Sequence, residues 1–366
     1  MQQIHFEALK QQVAALRTEL AAQSPPLGAI AGEIWCELPG HQPPWQPTGL
    51  HVTPGQQFSL FAAGRVHWST THPARYGGPR FHLWARVTPG GGIVNLSAES
   101  GTFTADVAGE IELGIYMGRW QDRYGALATS PDLYTRLSGA LGCWVVAWRG
   151  PATTGLDVLL GCPAGSFLRS ERARLAQPVY PPVGWHYLLE TGTSEIYREE
   201  IVDGRRVIAL EATDDQGILT TAVDVPLTQA TTLRWSWRAE QLPSTVAEDR
   251  THTHDYFSIA TEFDNGRDLT WIWSAALPPE THFHCPVPAW TRRETHYVVR
   301  QGTANLGVWQ TEQRAVYADV ATAMGPPPGR IVRVWLIAVA SFQHGRACAQ
   351  FADIWLEDAE RRVKVL

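Results

Sequence analysis

The sequence predicts an all-β fold: two β-sandwich or jelly-roll domains preceded by one N-terminal α-helix. Three observations carry this. Short apolar/polar alternations recur from Gly32 onward at the period of two that strands require. Glycine and proline (32 and 25 residues) punctuate them, and beyond the first twenty positions no helical period is sustained. Sixteen tryptophans supply the bulky side chains that a sandwich interior needs.

The elements follow in order. Phe6, Leu9, Val13, Leu16 and Leu20 are spaced three, four, three, four, an apolar seam on one helix placed within residues 1–24. The seam covers about two heptads, so it serves equally to dock the helix on its own domain or to join two copies. "SPPLG" (Ser24–Gly28) ends the helix, because proline cannot continue it. A first sandwich is expected over residues 31–150, from "QFSLFAAGRVHW", "FHLWARV", "GTFTADVAGEIELGIYM" and "GCWVVAWRG". "TPGGGIV" (Thr88–Val94) lies between strands and reads as a hairpin turn. The Gly/Pro-rich stretch 151–182 reads as an interdomain linker with one short helix around Phe167–Leu175. Some nine further strands over 183–366 fit a two-sheet jelly roll, with "VDGRR" as a hairpin and "EQRAVYADVATAMG" as a crossing helix or loop.

Composition narrows the function. The net charge is -6 and the longest basic cluster is "RSERAR" (Arg169–Arg174), which disfavours nucleic acid and phosphate-rich ligands. Five cysteines without C-x-x-C spacing argue against a disulfide framework and against a structural zinc site. The N-terminal stretch has no signal-peptide pattern and no apolar run reaches membrane-spanning length, so a soluble cytoplasmic protein with no membrane partner is expected. No Walker loop, dinucleotide fingerprint, G-x-S-x-G or H-E-x-x-H occurs, and no cofactor is expected.

Both halves resemble known families. "HDYFSIATEFDNG", "LTWIWS", "VVRQGTANLGVWQTEQRAVYADVATAMG" and "IVRVWLIAVAS" carry a resemblance of Val183–Glu357 to the bacterial domain-of-unknown-function family 3047. That resemblance implies a concanavalin-like jelly roll. It also marks two departures, since relatives usually carry two aspartates at His254–Asp255 and an Asp/Asn/Thr-rich turn at Ser341–His344. "HVTPGQQFSLFAAGRVHW" and "GTFTADVAGEIELGIYMGRW" give Ala31–Arg149 a weaker resemblance to the calcium-dependent galactophilic lectins of the PA-I type. The expected calcium ligands are replaced here by Met117–Gly118 and Ala126–Leu127, leaving Asp122 as the one nearby carboxylate.

Candidate site residues cluster in the second half. His252 and His254, or His282 and His284, turn to the same side of a strand and can meet one metal ion, although both pairs also read as loop residues. Parity sets Asp255 beside Phe257, Ile259, Thr261 and Phe263 on a largely apolar face. Burial there raises a carboxylate's pKa, and His254 exchanges protons near neutrality. The plainer reading has Asp255 cap the strand entrance. His344 joins the acid/base set if it faces the same hollow. Of the pairs Trp235/Trp237 and Trp271/Trp273, one is expected in the core; the other, taken as Trp271/Trp273, walls a ligand cleft with Tyr256 and Trp309. Arg314 either holds a polar group of the ligand or pairs with Glu312 and Asp319.

Three functions fit. The leading one is a carbohydrate-binding or carbohydrate-active protein, a hydrolase or lyase by Asp255 and His254, on the concave jelly-roll face or between the domains. The second is a cofactor-independent lyase, hydratase or isomerase with an apolar small molecule in a tryptophan-lined pocket. The third is a non-catalytic binding module that forms homo-oligomers through its helix.

Overall fold

The structure is a computed structural model that describes residues 6–22 and 28–366; the N-terminal helix ends at Ala21, and Ser24–Leu27 of the expected stop lie outside the described residues. The fold is all-β, and the chain divides into two compact units, Met1–Val179 and Tyr180–Leu366. Among the described residues, no helix is long and apolar enough to cross a membrane.

Unit one is a sandwich. Its larger sheet is ordered Ile30–Pro39, Ser138–Trp148, Gln57–His67, Tyr76–Gly77, with Ser100–Thr104 also paired to Gln57–His67. The smaller holds Gln46–Val52, Gly109–Ile115, Leu83–Thr88 and Val94–Asn95. Leu60, Leu113, Leu141 and Val145 fill the space between them. The larger sheet's other face is apolar too (Phe61, Trp144, Val146, Trp148), because strands buried on both sides cannot alternate with polar residues.

Helix Phe6–Ala21 covers part of that second face. Its seam residues Leu9, Val13 and Leu16 are 3%, 1% and 0% exposed, so the seam is spent within the unit rather than left open to a second copy. The stretch that reads as a linker covers the rest. Helices Ala152–Leu160 and Arg169–Ala176 and the turn Pro163–Leu168 bury Leu156, Leu159 and Leu168 on the same tryptophans. Buried Glu171 accepts from Ser100 Oγ (2.7 Å) and Thr102 Oγ1 (2.6 Å). Helical periodicity in "GLDVLL" outweighs the flanking Gly/Pro content, and residues 152–176 belong to the first unit's packing.

Unit two is a two-sheet jelly roll. The seven-stranded sheet runs His186–Tyr187, Gln216–Pro226, Arg330–Val339, Tyr256–Phe263, Asp268–Ser274, Glu294–Gln301, His282–His284. Asp268–Ser274 and Glu294–Gln301 pair in parallel. The six-stranded sheet runs Tyr197–Val202, Arg205–Thr213, Arg346–Glu357, Thr232–Gln241, Gln310–Ala315, with Arg362–Lys364 beside Arg346–Glu357. The "VDGRR" hairpin turns on Asp203 (φ 52°) and Gly204 (φ 75°), the double left-handed turn that Asp-Gly favours. "VYADVATA" is a helix, Val316–Ala323.

Candidate functional site

Two places in unit two concentrate chemistry, one buried and one open. The buried one lies on the face of the seven-stranded sheet that points away from the inter-sheet core. Strand parity puts Tyr256, Asp268, Thr270, Glu294 and His296 there, with Thr270 opposite His296 and Asp268 opposite Glu294. His254 joins where the chain enters Tyr256–Phe263, and Cys285 where it leaves His282–His284. Phe283, Trp290, Leu277 and Leu188 roof this face, so polar groups within it are removed from water.

His254, Cys285, Glu294 and His296 converge, with one ligand atom from each lying within 4.8 Å of every other. His254 Nδ1 lies 2.6 Å from Glu248 O and must donate its proton to that carbonyl, which leaves the Nε2 lone pair 3.4 Å from Cys285 Sγ. Tyr256 donates its hydroxyl to Glu294 Oε1 (2.8 Å), while Glu294 Oε2 is 3.6 Å from His296 Nε2. His296 is 0% exposed, and neither ring nitrogen has a hydrogen-bond partner. Burial, reinforced by the neighbouring His296, pushes the His254 imidazole down to about 3. Burial pushes Glu294 up, but His296 and His254 outweigh it and hold the carboxyl below its usual range.

The open place is the outward face of the six-stranded sheet. Parity brings Arg198, Ala209, Gln350 and Arg238 into one row, and Val207, Ala352, Ser236 and Thr311 into the next. Three inter-strand gaps, roughly 14 Å on a flat sheet, separate the strand of Arg205 from Gln310–Ala315, the strand that Trp309 immediately precedes. The Arg205 guanidinium nonetheless lies 4.6 Å from the Trp309 ring centroid, and Arg238 lies 5.5 Å from it. Both side chains lean inward over a floor of Ala352 and Ser236. Arg205 also pairs with Asp353 and Arg238 with Glu240 (2.9 Å), whereas exposed Arg198 and Arg234 make no ion pair among the described residues.

Several expected site residues sit elsewhere. Trp271 and Trp273 are 0% and 1% exposed and pack on Trp235 and Trp237 across the inter-sheet core. Their indole N–H groups donate to Asp319 Oδ2 and Gly302 O. Both tryptophan pairs are core, and neither walls a cleft; with centroids 5.4 to 6.1 Å apart the rings fill their own space. Asp255 is buried and accepts from the amides of Phe342 (2.9 Å) and Gln343 (2.8 Å), so it anchors the 341–345 turn. Burial pushes its carboxyl up to about 6 despite these bonds. His254 and Asp255, adjacent in a chain entering a strand, serve opposite sides of the sheet, which removes the expected proton-moving pair.

His344, in a left-handed turn (φ 54°), bonds Asp214 at 2.7 Å. Arg314 grips Asp319 through two 2.8 Å bonds, pairs with Glu280 and lies over the Tyr297 ring, while Glu312 pairs with Arg300, so the ion-pair alternative holds for Asp319 and not for Glu312. Tyr256 belongs to the buried cluster, and Trp309 to the open face. His252, His282 and His284 are exposed, so neither His-x-His pair gathers on an ion; only His254 joins other ligand-type groups. Glu294, His296 and Cys285 escape a motif search because their spacing matches none. The one local signal is E-T-H, two ligand types sharing a strand face. In unit one, Asp122 Oδ1 accepts from the amides of Tyr124 and Ala126 and closes its own loop.

Residues 184–355 match the model of a family described as "Protein of unknown function (DUF3047)", in agreement with the resemblance seen in the sequence. No curated protein matches the chain. Among solved structures, the EclA N-terminal domain, a PllA-like lectin, is 13% identical, with 33% of this chain and 98% of that one covered and a TM-score of 0.25. The xyloglucanase domain of NopAA from Sinorhizobium fredii is 8% identical (49% and 94% covered, TM-score 0.28). A family 11 carbohydrate-binding module of Clostridium thermocellum is 12% identical (49% and 86% covered, TM-score 0.22).

Proposed function

We propose that the protein binds glycans on the outward face of the six-stranded sheet in unit two. One observation carries the reading: an indole, Trp309, set among arginines on an open sheet face with the small residues Ala352 and Ser236 beneath. An aromatic face takes the C–H side of a sugar ring. Guanidinium groups offer paired donors that match carboxylates. Arg205 and Arg238 are already paired with Asp353 and Glu240. Arg198 and Arg234 share this face with Gln350 and Gln313 and make no ion pair among the described residues, so the glycan class favoured is one bearing uronate carboxylates over a neutral one. A catalytic reading through Asp255 and His254 is not retained, since the two groups share no space.

Affinity gel electrophoresis against soluble neutral and uronate-bearing polysaccharides tests this. The wild-type chain should be retarded by the uronate polymers, and Trp309→Ala should weaken retardation by about tenfold or more, as loss of a central aromatic contact does. Equal retardation of a folded Trp309→Ala variant would remove this face from the reading.

A further inference from the structure

We infer that His254, Cys285, Glu294 and His296 form a closed, four-ligand site for a zinc-class divalent ion, independent of the glycan-binding face. His296 is a fully buried imidazole with neither nitrogen bonded, a costly arrangement, since a polar group taken out of water without a partner loses its hydration for nothing in return. Its surroundings offer no donor or acceptor within hydrogen-bond reach, yet they offer three other ligand atoms.

The four ligand atoms, all within 4.8 Å of one another, surround one point that a single ion would draw them onto by side-chain shifts of about 1 Å. Bonds of about 2.0–2.3 Å to nitrogen, oxygen and sulfur in a tetrahedron give ligand–ligand edges of roughly 3.3–3.8 Å. Sγ of Cys285 is 3.4 Å from Nε2 of His254, and Oε2 of Glu294 is 3.6 Å from Nε2 of His296. The donor set selects the metal. Two imidazoles, a thiolate and a carboxylate suit zinc, whereas calcium and magnesium want oxygen throughout.

The surroundings are prepared as well. The Glu248 carbonyl fixes the His254 tautomer with Nε2 free, and the Tyr256 hydroxyl occupies Oε1 of Glu294 while Oε2 faces the cluster. Such outer partners orient ligands and hold their protons in place. Charge balances: a divalent cation with one thiolate and one carboxylate is neutral, the arrangement a buried site tolerates best. Binding breaks the Cys285 S–H bond, forms a metal–sulfur bond and releases one proton to solvent. With all four donors buried and no position facing water, the role is structural. The ion ties the segment that roofs the sheet to the strands beneath it.

The test uses the full chain. Protein stripped with a chelator and reloaded with zinc alone should carry about one ion per chain by elemental analysis. Reloaded with cobalt alone, it should show the intense visible bands of a tetrahedral ion and a thiolate-to-cobalt charge-transfer band. Cys285→Ser should lose that charge-transfer band, and His296→Gln should weaken zinc binding by about 100-fold or more. Should those variants fail to fold, X-ray absorption on the zinc-loaded wild type decides: one sulfur and three nitrogen or oxygen neighbours are expected. A folded wild-type chain that takes up neither metal, a cobalt spectrum without the thiolate band, or a sulfur-free shell would each overturn the site. Retained binding of Trp309→Ala to zinc is expected, since the glycan face is separate.

Discussion

At the scale of single residues, burial decides how polar groups behave in both units. In unit one His82 is 0% exposed and is wired as a neutral imidazole. Its Nδ1–H donates to Tyr116 O (2.7 Å), and its Nε2 accepts from the Trp68 indole (2.9 Å). Burial outweighs the carbonyl's pull toward the charged form and lowers the pKa from 6.5 to about 4. The unfolded chain therefore binds a proton that the folded one refuses between those values. The stability this site contributes is fully present above pH 6.5 and is lost as pH falls toward 4, at a cost of about 3 kcal/mol. Thermal melts of the whole chain from pH 7 to pH 4 should show the first unit's transition falling over that window. His82→Gln should flatten the slope; an unchanged slope would detach His82 from it. Asp255 behaves otherwise. Its two amide bonds make it an anchor, so Asp255→Asn should loosen the 341–345 turn rather than act on chemistry.

At the scale of elements, legibility followed what a period can encode. The Asp203–Gly204 hairpin is readable because turn chemistry is local, while the stretch around Val316–Ala323 reads equally as helix or loop because eight residues give too few turns for the helical period to decide. Parity also grouped Asp255 with Phe257 and Ile259 correctly, but it could not say which group faced the core. Tyr256–Phe263 and Asp268–Ser274 are buried along their whole length, so neither face is marked by exposed polar residues. The tryptophans at 271 and 273 were misplaced for that reason. The buried cluster was illegible because it depends on which strands become neighbours, and a parallel pairing joins segments no short pattern connects. The N-terminal helix shows the converse case, a readable seam with an unreadable destination. Its destination, the Phe61/Trp144 face, implies that Val13→Asp should destabilise unit one by several kcal/mol, by burying an unpaired charge. Chemical denaturation with tryptophan fluorescence reports this directly, and a shift below about 1 kcal/mol would show that the helix is not docked in solution.

At the scale of the molecule, the two units have separate interiors. Leu60, Leu141 and Val145 belong to one core; Trp235, Trp271 and Phe351 to another. Each unit also carries its own cover, the helices 152–176 over one sheet of the first and the 277–293 segment over one sheet of the second. A domain with its own core and its own capping elements has what independent folding requires. Residues 180–366 expressed alone should thus unfold cooperatively. The proposed zinc ligands and the proposed glycan-binding face both lie within that fragment, so it should keep the metal stoichiometry and the polysaccharide retardation of the full chain. A fragment that unfolds without cooperativity, or that folds but loses polysaccharide retardation, would mean that the first unit completes the second.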